Sequence, residues 1–526
     1  MKRLTWVLFS FLVAILNGWA EDFEQRFTVS IDTVGKYVHV EMVCTPTSGN
    51  NIEGDVTLKM PVWAPGYYVI VDFPKHLTDF AATDDEGKPL AWKKQGKNAW
   101  VVKAKGSKAL KATYRIFATA RSVAECRVEH DVAFIPGNGV FMHVEGQKEQ
   151  PAYLYFDLPT NWQHISTGMQ AMTTRTFGGK TCYVAPNFDV LYDSPILLGN
   201  HRVDTFEHEG HPFEFALETP TGYETTTFKE DFKKIVTATT GIMRHIPYEN
   251  YCLIHLGKGG GGLEHLNSQA CYTEGTFEFP DRDAYIEYLD FVAHEYFHLY
   301  NVKHIRPIEL GPFDYDREVF TPLLWVSEGF TCYYSAQILR QAGLIDAEKQ
   351  LRMYSEYIHN TETQEGHRHM SLRQSSYDIW LNFFNHDENS NDVRISYYVK
   401  GPVMGLLFDI ELRRVTNGER SLDDLMRLLY NRYDQELGRG FTEEEFWQSV
   451  QEVATVTFQH GKASNETEAE RTISQLRRLV DTTDDIDYEA LLAPAGLTID
   501  RQTWQLGIAE KPTKQQKRLR QQIIGE

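Results

Sequence analysis

The apolar residues of this 526-residue chain recur at one spacing up to about residue 217 and at another beyond it, so two parts of different architecture are required. In the first part the period is two. Val38, Val40, Met42 and Cys44 alternate with other residues, as do Leu110, Ala112, Tyr114 and Ile116, and the pattern returns from Tyr153 to Leu158. Turn clusters such as Thr47-Ser48-Gly49-Asn50 and Pro136-Gly137-Asn138-Gly139 separate the runs, so residues 21–218 read as an all-β, sandwich-like domain. At Thr227 the period lengthens: Thr227 and Glu230 offer a capping box, and Phe228, Phe232, Ile235, Val236, Ile242 and Met243 follow at helical spacing. A short β interlude, Tyr251 to His255 and Gln269 to Tyr272, brackets the loop Gly257-Lys258-Gly259-Gly260-Gly261-Gly262. Helical patterns then dominate around 284–304, 323–343, 345–360, 397–415, 421–436 and 442–455. The predicted fold class is α+β multidomain: the β domain, a mainly α domain over 219–483 with a small β-sheet, and a polar, basic, solvated tail over 484–526 with Lys511, Lys514, Lys517, Arg518 and Arg520. With 42% apolar and 13% aromatic residues, the chain has material for two cores.

Residues 1–20 read as an export signal. Lys2-Arg3 precede an apolar run from Leu4 to Leu16, and Asn17-Gly18-Trp19-Ala20 places small residues where a signal peptidase reads. The run is shorter than the ~20 residues that span a bilayer, and no later segment is long and apolar enough. The mature chain is therefore expected in the periplasm or outside the cell, with no stable membrane span. A formal charge of -20, without a basic stripe, argues against a nucleic-acid partner. The six cysteines are too scattered for a disulfide scaffold or a paired metal framework and read mostly as small buried residues. Cys252 and Cys271 flank the same glycine-rich loop, and an oxidising compartment would permit a bond between them, but connectivity is not legible in sequence.

Within one helical stretch lies Val292-Ala293-His294-Glu295-Tyr296-Phe297-His298. Histidines four apart project from one helix face at a separation suited to one ion, and Glu295 stands beside His294 within reach of a water. Two imidazoles and a carboxylate on a helix that also carries Phe291, Val292, Tyr296, Phe297, Leu299 and Tyr300 need strong compensation, which a divalent cation supplies. Zinc suits imidazole and carboxylate ligands, and its charge is indifferent to an oxidising compartment. A third protein ligand is required. Of Glu309, Asp314, Asp316, Glu318 and Glu328, only Glu328 sits in an apolar helical run, Leu323-Leu324-Trp325-Val326-Ser327-Glu328-Gly329-Phe330, whereas the acids around Phe313 and Tyr315 read as a solvated turn. Two histidines on one helix and a glutamate on the next form the arrangement of thermolysin-like peptidases. Zn2+ there would polarise a scissile carbonyl and acidify water, with Glu295 taking the proton and passing it to the leaving amine.

The stretches HEYFHLYNVKHIRPIELGPFDY, LLWVSEGFTCYY and SYYVKGPVMGLLFDIELRR resemble the glycyl aminopeptidase family of zinc metallopeptidases. The likeness extends to MPVWAPGYYVIVDF, LYDSPILLG, GGGGLEHLNS and SLDDLMRLLY, covering roughly residues 25 to 500. It implies an amino-terminal β domain followed by a thermolysin-like catalytic domain. It also implies that Gly261 and Gly262 let backbone approach the substrate while Glu264 grips its free α-amine, and that Tyr398 sets its hydroxyl against the developing oxyanion. Tyr397 competes for that last role. The chain departs from the pattern in places. Thermolysin has an aspartate four residues after the liganding glutamate, orienting a zinc histidine; here Cys332 stands there, so the partner of His294 is unidentified. Cys332 as a ligand is the alternative to Cys332 as a small buried residue. His304, where the family usually has arginine, reads as a loop residue, and the stretch after Asp484 is too short for the PDZ domain the family often carries.

Three functions compete. One is an aminopeptidase acting on peptides with a free amino terminus and releasing small residues, glycine or alanine by resemblance. Another is an endopeptidase with the same zinc chemistry, in which the glycine loop is an edge strand aligning substrate backbone. The last is a non-catalytic peptide- or glycan-binding protein with structural zinc, against which an open metal position beside Glu295 speaks.

Overall fold

The computed structural model describes residues 22–218, 225–272, 279–382, 385, 387–456 and 465–526; the export signal read at 1–20 lies outside them. Two compact units emerge, the first from residues up to Ala64 together with Val71–His201, the second from Pro65–Ile70 together with Arg202–Glu526.

Alternation builds the first unit. Strand Phe23–Asp32 pairs antiparallel with Tyr37–Pro46, Val29 opposite Val40, so Phe27, Val29, Val38, Val40 and Met42 point into the core while their neighbours turn outward. These two strands are central to a seven-stranded sheet, in which Phe23–Asp32 also pairs in parallel with Ala152–Asp157. Two four-stranded sheets accompany it. One short helix, Phe188–Tyr192, is capped by Asn187, which accepts the Val190 N–H. The all-β expectation for this stretch therefore holds.

The second unit begins at Arg202, ahead of the boundary expected at 218. The hairpin Arg202–His208 with His211–Leu217 accounts for this, because its second strand pairs in parallel with Tyr251–Leu256. Tyr251–Leu256 is buried at every residue, as a parallel strand covered on both faces must be. Ser268–Tyr272 lies next to it, and Gly262–Glu264 forms the antiparallel edge of the five-stranded sheet. Helices Thr226–Met243, Arg282–Phe297, Phe330–Gln341, Ala347–Thr363, Tyr397–Val415, Leu422–Leu429 and Glu443–Ala454 supply the rest of the core, close to the predicted spans. The capping box expected at Thr227 does not form: the N-cap is Thr225, two residues earlier, and its hydroxyl donates instead to Asp204.

Two further readings meet the structure differently. The six cysteines are all free and buried, as the reading of small buried residues expected, and the bond left open between Cys252 and Cys271 is excluded. In the sheet register Cys252 faces Ser268 and Cys271 faces His255, three residues out of step, or about 10 Å along the strands, beyond disulfide reach. The carboxy-terminal stretch is not a solvated tail either. Helix Lys514–Ile524 opens with a capping box between Thr513 and Gln516 and buries Leu519, Ile523 and Ile524 in spaced contacts that its many charges conceal in sequence.

Candidate active site

The motif helix starts at Asp281, whose carboxylate accepts the Ala284 N–H at 2.9 Å. Val292, Ala293, Tyr296 and Phe297 are fully buried along it, which leaves one face for His294 and, at the helix C-cap, His298. Their Nε2 atoms converge to 2.8 Å. Glu328 arrives on a single π-helical turn, Trp325–Gly329, that runs into helix Phe330–Gln341. Such a turn inserts one residue into the helical ladder and redirects the side chain it carries. Glu328 Oε2 lies 3.1 Å from His298 Nε2 and 3.5 Å from His294 Nε2.

Fully buried Asn301 sets this geometry. Its side-chain amide donates to the carbonyls of Val326 (2.8 Å) and Ser327 (3.0 Å) and to the Thr331 hydroxyl (3.1 Å), tying the end of the histidine helix to the turn bearing Glu328. The Asn301 carbonyl accepts from His298 Nδ1 at 2.7 Å, which turns that ring's Nε2 inward. His294 Nδ1 meets Cys332 Sγ at 3.5 Å. The position that carries aspartate in thermolysin thus touches the same ring here through a thiol, as an outer contact and not as a ligand. A second close approach brings the next helix in. A Cβ on Gly329 would sit 2.5 Å from Gly401 Cα, so two glycines let helix Tyr397–Val415 lie directly on the π-helical turn.

The donor atoms of His294, His298 and Glu328 all fall within 4.8 Å of one another. Zinc legs of ~2.1 Å on a tetrahedron put ligand atoms roughly 3.4 Å apart, close to the separations found, so the residues fit a zinc ion. Electrostatics point the same way. Burial depresses the His294 pKa, with His298 adding to the effect. Burial would lower that of His298 as well, but the Glu328 carboxylate overrides it and holds the ring up to about 10. Glu328 itself is held well below the carboxylate range by the two rings, against its own desolvation. The cluster calls for a cation between its members.

Glu295 is 5% exposed, and its Oε2 has no hydrogen-bond partner among the described residues. Burial pushes its carboxyl up to about 8, partly opposed by His298 and reinforced by Glu264. The edge strand passes immediately over it: a Cβ on Gly262 would lie 2.3 Å from Glu295 Oε1. Gly261, just before the strand, has φ +89°, a left-handed conformation that glycine adopts without strain. Glu264 is buried and forms an ion pair at 3.6 Å with Lys303, whose side chain is 7% exposed. The Tyr398 ring stands 6.4 Å from that of His294, and Tyr397, packed against it, is fully buried; burial first, and Glu328 next, drive both hydroxyls well above the tyrosine range.

Every site residue expected from the sequence therefore lies in one cluster of the second unit. His304 does not join it; its Nδ1 pairs with Asp434 at 3.0 Å. Asp314 forms an exposed pair with Arg317, as a solvated turn should. The residues that sequence reasoning missed are Asn301, Lys303 and the buried Tyr68, whose hydroxyl burial raises well above the tyrosine range, with the charges of Glu328 and Glu264 adding to it. Asn301 was within reach, as a polar residue just after an apolar helix, but nothing in the sequence ties Tyr68 to a motif more than two hundred residues away.

No curated protein matches the chain. Among solved structures it is similar to an aminopeptidase N family protein from Idiomarina loihiensis, at 24% identity and TM-score 0.80 over 93% of this chain and 82% of that one. It is also similar to the M1 zinc metallopeptidase from Deinococcus radiodurans, at 12% identity and TM-score 0.54 over 89% and 96%. A third likeness is to Legionella pneumophila aminopeptidase A in complex with aspartic acid, at 13% identity and TM-score 0.52 over 83% and 48%. These likenesses establish the fold. Family models match at residues 26–200, as the peptidase M61 N-terminal domain, and at residues 287–404, as M61 glycyl aminopeptidase, the latter spanning the histidine helix, the Glu328 turn and both tyrosines. With a donor triad and an adjacent buried carboxylate inside the matched catalytic region, the chain is a peptidase belonging to the M61 glycyl aminopeptidase family.

Proposed function

We propose that this chain is an exported zinc aminopeptidase that releases small amino-terminal residues, glycine or alanine, from peptides. The observation that carries the exopeptidase part is Glu264, a buried carboxylate on the edge strand whose Gly262 overlies Glu295. A buried carboxylate is costly unless paired; Lys303 pairs with this one, which is placed to meet a substrate's α-ammonium group. His294, His298 and Glu328 would hold the zinc ion, which would supply Lewis acidity toward the scissile carbonyl and toward water. Glu295 accepts the proton of the attacking water and returns it to the leaving amine. The Tyr398 hydroxyl donates to the oxyanion as it develops. The small-residue preference rests on family membership, and the export reading on residues 1–20.

The test is zinc content and hydrolysis of glycyl, alanyl and amino-blocked substrates by the wild type, Glu295→Gln and Glu264→Ala. Glu295→Gln should keep its metal and lose turnover. Glu264→Ala should lose activity on free-amine substrates; full retention would remove the exopeptidase claim. One observation favours a second reading, an endopeptidase: Gly262–Glu264 is a sheet edge whose backbone could align an extended chain. Equal cleavage of blocked and free peptides would select it.

A further inference from the structure

The segment Pro65-Gly66-Tyr67-Tyr68-Val69-Ile70 interrupts the β unit in sequence yet belongs to the catalytic unit in space. Gly66 adopts φ +85°, and a Cβ there would lie 2.7 Å from Glu264 Oε1, 3.0 Å from Oε2 and 2.7 Å from Leu263 Cδ1. The backbone of this excursion therefore rests on the carboxylate assigned to the substrate amine. Two residues on, Tyr68 is 1% exposed and set edge-on to Trp380, ring centres 6.0 Å apart. Trp380 is anchored in turn by donating to the Val319 carbonyl at 2.9 Å. Burial raises the Tyr68 hydroxyl well above the tyrosine range, and the charges of Glu328 and Glu264 raise it further. Its phenol thus lies within electrostatic reach of both the metal-site carboxylate and the amine-site carboxylate.

On the aminopeptidase reading, the first residue of a substrate spans those two points, its amine at Glu264 and its carbonyl at the histidine–glutamate triad. A side chain on that residue must enter whatever space is left beside the span. We propose that Tyr68 is the specificity-determining residue of this enzyme: its ring fills the space a larger first side chain would need, leaving room for glycine and alanine. Tyr68 can act this way because Trp380 fixes its ring and Gly66 lets the backbone sit close.

The inference is tested by kcat/KM for glycyl-, alanyl- and leucyl-p-nitroanilide with the wild type, Tyr68→Ala and Tyr68→Phe, together with zinc content and near-UV circular dichroism. Tyr68→Ala is expected to raise the leucyl-to-glycyl ratio by about tenfold or more, the scale of discrimination that side-chain bulk in a pocket supplies. Tyr68→Phe, which keeps the ring, should leave the ratio unchanged. A folded, zinc-replete Tyr68→Ala with the wild-type ratio overturns the proposal, and so does a changed ratio in Tyr68→Phe, which would assign the effect to the hydroxyl. If Tyr68→Ala does not fold, Tyr68→Leu carries the same test through the alanyl-to-glycyl ratio. The aminopeptidase reading fails separately, if the wild type cleaves acetyl-glycyl substrates as fast as free ones.

Discussion

Replacing Gly262 by alanine probes the closest approach between the edge strand and the reaction centre. The added Cβ would lie 2.3 Å from Glu295 Oε1, 2.7 Å from its Cδ and 2.5 Å from Phe291 Cζ. Ordinary contact begins near 3.5 Å, so either the carboxylate or the strand must retreat by about 1 Å. The tip of a side chain yields more easily than backbone, and the fold should survive. The displaced atoms, however, are those that must meet the substrate's water. A misplacement of ~1 Å in such a group costs roughly a hundredfold, about 2.7 kcal/mol of transition-state stabilisation. None of the three closest atoms belongs to His294, His298 or Glu328, so metal content should be unchanged. The assay is kcat/KM on glycyl-p-nitroanilide with bound zinc measured alongside. Gly260→Ala is the control, since a Cβ there meets nothing within 4 Å, and it should behave as the wild type. A zinc-replete Gly262→Ala within about threefold of wild-type kcat/KM would refute the placement of Glu295 beneath the strand.

Cys332→Ala removes the outer contact to His294 Nδ1 and should weaken zinc binding by ~10- to 100-fold, read by chelator competition, while Cys332→Ser should restore most of it. Gly401→Ala places a Cβ 2.6 Å from Gly329 Cα, where backbone cannot yield, so denaturant unfolding should show a loss of about 1–3 kcal/mol. His255 is fully buried against Phe215 and Phe228 and hydrogen-bonds Tyr288; burial lowers its pKa from 6.5 to about 3. The unfolded chain therefore takes up the proton first. Its stabilising contribution is complete above about pH 6.5 and shrinks as pH falls toward 3, by about 2 kcal/mol at pH 5. Urea midpoints at pH 7 and pH 5 should show a drop in the wild type that is smaller in His255→Phe, and equal drops would exclude this assignment.

The ligand set was legible because its signals are local. His294, Glu295 and His298 share one helix face by spacing alone, and Glu328 betrays itself as an acid in an apolar run. The change from period two to helical spacing likewise located the β and helical regions, since burial of one face imposes its own repeat. Other features were hidden by their charge. The terminal helix buries Leu519, Ile523 and Ile524 beneath a surface of lysines, arginines and glutamines. The π-helical turn at Trp325–Gly329 leaves no mark that distinguishes it from an ordinary helix.

Sequence by itself determined which side chains can bind a metal and where the strand-rich part gives way to the helical one, because both follow from neighbours within a few residues. Only the tertiary structure decided what surrounds them: Asn301 joining two helices, Cys332 on the His294 ring, and Gly66 on the Glu264 carboxylate. These contacts link residues 25 to 198 positions apart, and they depend on how closely helices and strands approach one another, which no short-range spacing encodes.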